Sequence, residues 1–277
     1  QSGARGIALI GKTAVENIGL STIVSIGNKC DIDQADLLEY LIGHEETGVI
    51  LRDIEGVKNG ERLIGALMKT TDRKPVVVIK SGRSKRGAMA AASHTGSLAG
   101  SDEIFDAIMN QCGVIRADSI DEAFDWCKFL AFTPKPKGNK SVIITNGGGV
   151  GVMATDACER YGIDLYDDQG ELAKSFEKVV PSFGSTKNPV DLTGGAGAKD
   201  YDHALTVPAK TAGMDATIAL YCETATFESA DLVPMIRETY KKHVDAGKPV
   251  CYAIVGGTAV NDAIIRLRTL RVQAEFA

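Results

Sequence analysis

The stretch SHTGSLAG at residues 93–100 sets one histidine, His94, among side chains too small to hide it. A neutral imidazole nitrogen is a competent nucleophile toward phosphorus near neutral pH. Residues 88–100 carry only Met89 and Leu98 as large apolar side chains. Such a stretch is expected to be a long loop rather than a core element, and long loops in compact domains usually carry function. Chemistry alone leaves His94 equally readable as an exposed loop histidine. Glu55 follows a β-branched run, VILRDI at residues 49–54. A carboxylate at a strand's carboxyl end faces the usual ligand crevice, where it can accept an imidazole proton and fix the ring's tautomer. An ordinary solvated glutamate fits that position as well.

Three segments read as helix starts able to hold an anion through backbone N–H groups and the helix dipole. They are Ser2-Gly3, Asn146-Gly147-Gly148-Gly149 and Glu223-Thr224-Ala225-Thr226. Tight strand-to-helix turns use the same residue types without any ligand, so none of the three is decisive alone. The run GGGVG at residues 147–151 lacks the third glycine of G-x-G-x-x-G, which argues against NAD. No G-x-x-x-x-G-K-[ST] phosphate loop occurs. Residues 188–197 (NPVDLTGGAG) are turn-rich, and Asp191 there reads as a brace for a loop. The four histidines show no zinc-binding spacing, so no metal site is expected.

These residues need a scaffold, and the hydrophobic pattern predicts one. Strands are expected at residues 22–26, 48–51 and 75–80. Helices are expected at 34–41, 59–69, 101–112 and 119–130. TPKPKGNK at residues 133–140 breaks the pattern and reads as a linker. A second series follows, with strands at 141–145, 216–221 and 249–255 and helices at 149–161 (ended by Gly162), 229–244 and 260–270. The expectation is an α/β fold of two flavodoxin-like domains with mostly parallel sheets, at 1–133 and 140–277 with a linker at 134–139. The chain has 277 residues and a net charge of −5, which supplies no basic field for nucleic acid. No apolar run reaches the roughly 20 residues that span a bilayer. Six cysteines without a C-x-x-C pair read as reduced thiols of a cytoplasmic protein. The opening Gln1-Ser2-Gly3 reads as a helix start within a longer polypeptide.

Taken together, QSG at 1–3, GNKCD at 27–31, DLLEY at 36–40, IEG at 54–56, SHTGSLAG at 93–100, TNGGG at 145–149 and NPVDL at 188–192 resemble the NDP-forming acyl-CoA synthetases. This is the superfamily of succinyl-CoA synthetase and ADP-forming acetyl-CoA synthetase. The resemblance implies succinyl-CoA-synthetase-like domains. It implies an acid–thiol ligase that interconverts acyl-CoA, ADP and phosphate with a short carboxylic or hydroxycarboxylic acid, CoA and ATP. The route would run through an acyl phosphate and a covalent phosphate on His94, with Glu55 hydrogen-bonded to that ring. Ser2, Gly3, Gly96, Thr224, Ala225 and Thr226 would bind phosphate, the last three by position rather than by identical sequence. Asn146, Gly147 and Gly148 would lie near the carboxylate substrate. CoA, ATP/ADP and Mg2+ would be bound largely elsewhere, by an N-terminal CoA-binding domain and an ATP-grasp domain, fused or on another subunit of an oligomer. Related domains also occur as non-catalytic ligand sensors fused to protein acetyltransferases. Those relatives lose the histidine that stands here as His94.

Overall fold

The computed structural model describes residues 3–27, 29–95, 101–227, 229–270, 272 and 274–276. The chain divides into two units, Gln1–Ala131 and Phe132–Ala277.

The first unit opens with helices α1 (Gly3–Val15) and α2 (Gln34–Ile42). There follow β1 (Ile50–Ile54), α3 (Gly60–Thr71), β2 (Val76–Lys80), α4 (Lys85–Thr95), α5 (Asp102–Gln111), β3 (Ile115–Ala117) and α6 (Ile120–Phe132). Among the described residues the three strands form a parallel sheet in the order β1-β2-β3. Strand β2 lies in the middle, and Val76, Val77 and Val78 are fully buried, as a continuous apolar run covered on both faces requires. The helices start where their sequences offer caps. Asp33 and Asp36 form a reciprocal capping box on α2, and Asn59 accepts from the Arg62 N–H on α3.

Two expectations fail in this unit. Residues 22–26 carry no regular structure and pair with no strand among the described residues, and Ile23 and Val24 are half exposed. A β-branched run favours a pleated surface but does not supply a ladder partner. The expected loop at 88–100 is helical as far as Thr95. Alanine at 88, 90, 91 and 92 is the strongest helix former, and Ser84 caps the turn by accepting from the Gly87 N–H at 3.0 Å.

The second unit runs β4 (Lys140–Thr145), α7 (Gly148–Arg160), β5 (Asp164–Leu165), α8 (Gln169–Phe176), β6 (Val190–Asp191), α9 (Ala198–Lys210) and β7 (Ala216–Cys222). It ends with α10 (Ser229–Asp245), β8 (Val250–Val255), α11 (Thr258–Thr269) and β9 (Ala274–Phe276). All named strand pairs are parallel, in the order β5-β4-β7-β8-β9, with β6 also on β4. This is the flavodoxin-like order, and its direction reverses between β4 and β7. Val142, Ile143 and Ile144 of β4 are fully buried at the sheet centre. Residues 133–139 carry no regular structure between α6 and β4. Gly162, at φ +67°, closes α7 in the left-handed region that favours glycine.

Candidate functional site

In the first unit, topology places Glu55 at the carboxyl edge of the sheet, beside the strand that leads into the helix carrying His94. Ile54 pairs with Lys80, so Glu55 and Ser81 leave adjacent parallel strands side by side. Helix α4 begins at Lys85, and the His94 backbone lies in its last turn; the His94 side chain lies outside the described residues. Ser2 and Gly96 also lie outside the described residues, and Gly3 is the first residue of α1.

Glu55 is buried, at 6% exposure, and so is not the solvated loop carboxylate that the sequence also allowed. The carbonyl of Gly56 accepts from Lys29 Nζ and, at 2.9 Å, from Gln34 Nε2. Arg52 donates to the Gln34 carbonyl at 3.2 Å, and Lys58 donates to the Lys29 carbonyl. Lys29 is presented from the GNKCD turn with φ +59°, a left-handed backbone uncommon for a residue with a side chain. Burial, reinforced by Lys58, lowers its pKa, while Asp33 and Glu55 act in the opposite sense. Burial pushes Arg52 down to about 10. Glu55 therefore lies within electrostatic reach of one buried cation, Lys29. Sequence reading missed Lys29 and Arg52 as part of this site, although GNKCD was among the motifs that carried the resemblance.

In the second unit, loops converge at the reversal between β4 and β7. Asn146 is buried and uses both ends of its amide on Cys222. Nδ2 donates to the Cys222 carbonyl at 2.9 Å, and Oδ1 accepts from the Cys222 N–H at 2.8 Å. It continues the ladder one step past the strand ends, so its amide braces the crevice. Gly147 caps α7 without a side chain, and its N–H is held by Thr145 Oγ1 at 3.0 Å. A Cβ on Gly147 would lie 2.8 Å from Cys222 Sγ, and one on Gly148 would lie 3.1 Å from Asp191 Oδ2. Asp191 Oδ1 accepts from the Thr193 N–H at 2.8 Å. The first turn of α7 thus presents bare backbone amides at the crevice, the arrangement that suits a carboxylate or phosphate.

Thr224, Ala225 and Thr226 lie in the turn before α10, not in its first turn, which begins at Ser229. Thr226 donates to the Gly194 carbonyl at 2.7 Å, so in its 3.1 Å contact with Thr224 it accepts. Both hydroxyl protons are thereby occupied, and an anion there would be met by backbone N–H groups. Glu223 reaches the next helix: Oε2 accepts from Gly257 N–H, the cap of α11, at 2.6 Å. Beneath these loops lie Tyr201, Tyr221 and Phe227, stacked edge to face. Tyr201 donates to the Leu220 carbonyl at 2.7 Å. Burial, aided by the Glu223 charge, pushes Tyr221 up to about 12.

Fold and crevices define a class: tandem flavodoxin-like domains with ligand-facing loops at the strand ends, as in acyl-CoA ligases. Residues 1–130 match the succinyl-CoA ligase like flavodoxin domain, and residues 141–276 match the Ligase-CoA domain. The chain is 51% identical over 264 residues to the alpha subunit of acetate–CoA ligase [ADP-forming] I from Pyrococcus furiosus, covering 95% of this chain and 57% of that one. It is 37% identical to 4-hydroxybutyrate–CoA ligase [ADP-forming] from Nitrosopumilus maritimus, over 88% of this chain and 35% of that one. The structure of acetyl-coenzyme A synthetase 1 from Ca. Korarchaeum cryptofilum with phosphate and ADP superimposes with a TM-score of 0.93 at 42% identity, covering 99% of this chain and 60% of that one. The chain belongs to the NDP-forming acyl-CoA synthetase superfamily.

Proposed function

We propose that this chain is the phosphohistidine-bearing part of an ADP-forming acyl-CoA synthetase acting on a short carboxylic or hydroxycarboxylic acid in the cytoplasm. The relatives named above carry ADP-forming acid–CoA ligase activity in their names, and the chain spans little more than half of their length where it matches best. The observation that carries the reading is the shared edge of the first sheet. Glu55, buried near Lys29, exits beside the strand that leads into the His94 helix.

In the proposed cycle, phosphate displaces CoA from acyl-CoA and leaves an acyl phosphate. The His94 imidazole attacks its phosphorus, the bond to the acyl oxygen breaks, and the free carboxylate departs. The phosphoryl group then passes to ADP, giving ATP and restoring the ring. Glu55 accepts the proton of the other ring nitrogen and stabilises the charge the ring acquires. Phosphoryl transfer depends on positioning and charge neutralisation rather than on further covalent help. Gly3, with Ser2 and Gly96, would hold phosphate in one place, and the backbone amides of Thr224, Ala225 and Thr226 in another. Gly147 and Gly148, braced by Asn146, would receive the acid's carboxylate. Among the described residues no group of three or more His, Cys, Asp or Glu could hold a metal ion. In this reading Mg2+ and the nucleotide are held by an ATP-grasp domain, and CoA by an N-terminal CoA-binding domain, in an oligomeric enzyme.

The test is labelling of the full-length protein, with its nucleotide-binding partner, by γ-labelled ATP and Mg2+. An acid-labile, base-stable label is expected, absent from His94→Ala and much reduced in Glu55→Gln. Label that persists in His94→Ala rejects the reading. Full labelling and turnover in Glu55→Gln removes Glu55 from it.

A further inference from the structure

The carboxyl edge of the first sheet holds a second charged group that the proposed chemistry leaves unassigned. Asp102, the first residue of α5, meets cations from three other segments. Lys80, the last residue of β2, donates to Asp102 Oδ1 at 3.1 Å, and Arg116 of β3 donates to the same oxygen at 2.6 Å. Arg83, from the turn before α4, sets its Nε 3.6 Å from Oδ2 and pairs with Asp118 through its other end. Arg116 also donates to Asp106 Oδ1 at 3.1 Å. The Lys80 and Arg116 side chains are each 5% exposed, and both cations lie 5.3 Å from the centre of the Phe105 ring. Removing the shared carboxylate would leave buried cations without their main partner, a costly state.

Lys80, Arg83 and Asp102 bracket the segment that contains His94. Among the described side chains of α4, Lys85 to Ala90 are all exposed or half-buried. The helix is thus secured near its root. His94 lies nine residues beyond Lys85, about 14 Å along the axis, and a tilt of about 10° at the root would carry that end by about 2.4 Å. Reacting groups tolerate displacements of only about 0.5 Å.

We propose that Asp102 is a positioning residue for His94: by clasping Lys80, Arg83 and Arg116 together it fixes the root of α4, and with it where the imidazole can reach. This rests on the phosphohistidine reading above.

The full-length protein with its nucleotide-binding partner serves for the test, in the variants Asp102→Asn, Asp102→Glu and Arg83→Gln. Rapid-quench labelling should show phosphohistidine forming about tenfold more slowly in Asp102→Asn, while KM for acid and CoA stays within about twofold. Asp102→Glu should recover most of the rate, since it restores the charge. Arg83 is 43% exposed, so Arg83→Gln spares the core; it should slow labelling severalfold at an unchanged melting temperature. Hydrogen exchange at the amides of 85–90, measured without substrates, should accelerate in Asp102→Asn. Wild-type labelling rates in both Asp102→Asn and Arg83→Gln overturn the proposal. If the wild-type protein takes no label on His94, the functional reading falls by itself. Exchange still decides the clasp in that case: unchanged exchange at 85–90 in Asp102→Asn overturns it.

Discussion

Both units must carry polar groups beneath the loops that leave their parallel sheets, and they use different chemistry to do so. In the first unit the buried polar groups are mostly ions. Lys29 lies near Glu55, Arg52 is buried close by on β1, Lys80 and Arg116 share Asp102, and Lys128 pairs with Glu16 at 3.0 Å. In the second unit they are mostly amides, hydroxyls and an imidazole. Asn146 joins β4 to β7. Asn188 donates to Ser141 and Tyr166 carbonyls and accepts from the Ile143 N–H at 2.9 Å. Tyr252 and Thr239 share a hydrogen bond at 2.8 Å, and the fully buried His243 sits between the Thr239 carbonyl (2.9 Å) and Thr217 Oγ1 (3.0 Å). A carbonyl only accepts, so His243 Nδ1 carries the proton and Nε2 accepts from Thr217. Coulomb attraction falls only as the inverse of distance, whereas a neutral hydrogen bond weakens steeply once its geometry is lost. The unit that carries the His94 helix is joined by contacts that survive small displacements. The other is joined by contacts that fix a shape.

The largest expected effect falls on the neutral joints. Asn146→Ala removes two hydrogen bonds and leaves a buried N–H and C=O unpaired, a loss of about 2–4 kcal/mol. Urea unfolding checks it, and a change below about 0.5 kcal/mol would break the contrast between the units.

Acidification should separate the units by pH. Burial lowers the pKa of His243 from its ordinary 6.5, so the unfolded chain takes up that proton first. Stability of the second unit should fall as pH drops below about 6.5 and level off beneath the folded value. In the first unit, burial alone would raise Glu16 and Asp102. Lys12 and Lys128 outweigh it at Glu16, and Arg116 and Lys80 at Asp102, leaving both pKa values below the ordinary 4.5 and 3.8. Their contribution is complete above those values and is lost only as pH falls through the lower, folded ones. Hydrogen exchange across pH 7 to 3 should show the second unit loosening first, and His243→Gln should remove that early step. Simultaneous loosening in wild type would contradict the assignment.

The smallest effect belongs to the exposed ions. Arg62 joins Asp36 and Glu39 on the surface of α2 and α3, and screening by water and salt leaves such pairs little net weight. Arg62→Gln should leave the urea midpoint unchanged. A clear shift there would show that ionic joints matter at the surface as well as in the interior.

Legibility from sequence followed periodicity. PVVVIK, SVIIT and ATIALY announced β2, β4 and β7 because their apolar runs are continuous, and α3, α5 and α6 were signalled by the helical spacing of their apolar residues. The two-residue strands β5 and β6 are too short to form a pattern, and α9 holds Pro208 within it. The α4 segment misled because its small residues were read as loop residues when alanine also builds helices. At the sites, His94, Glu55 and the glycines at 147 and 148 stood out by residue type. The bracing role of Asn146, and the buried cations Lys29, Arg52, Lys80 and Arg116, depend on partners 14 to 76 residues away along the chain, which no local pattern encodes.

The bond from Glu223 to the amide of Gly257 joins the carboxyl end of β7 to the amino end of α11. The two helix starts at this crevice thus each have a carboxylate beside them: Glu223 bonded to the cap of α11, and Asp191, whose Oδ2 would lie 3.1 Å from a Cβ on Gly148 of α7. A change at Glu223 alone would therefore release the amide at one helix start and leave the carboxylate at the other in place.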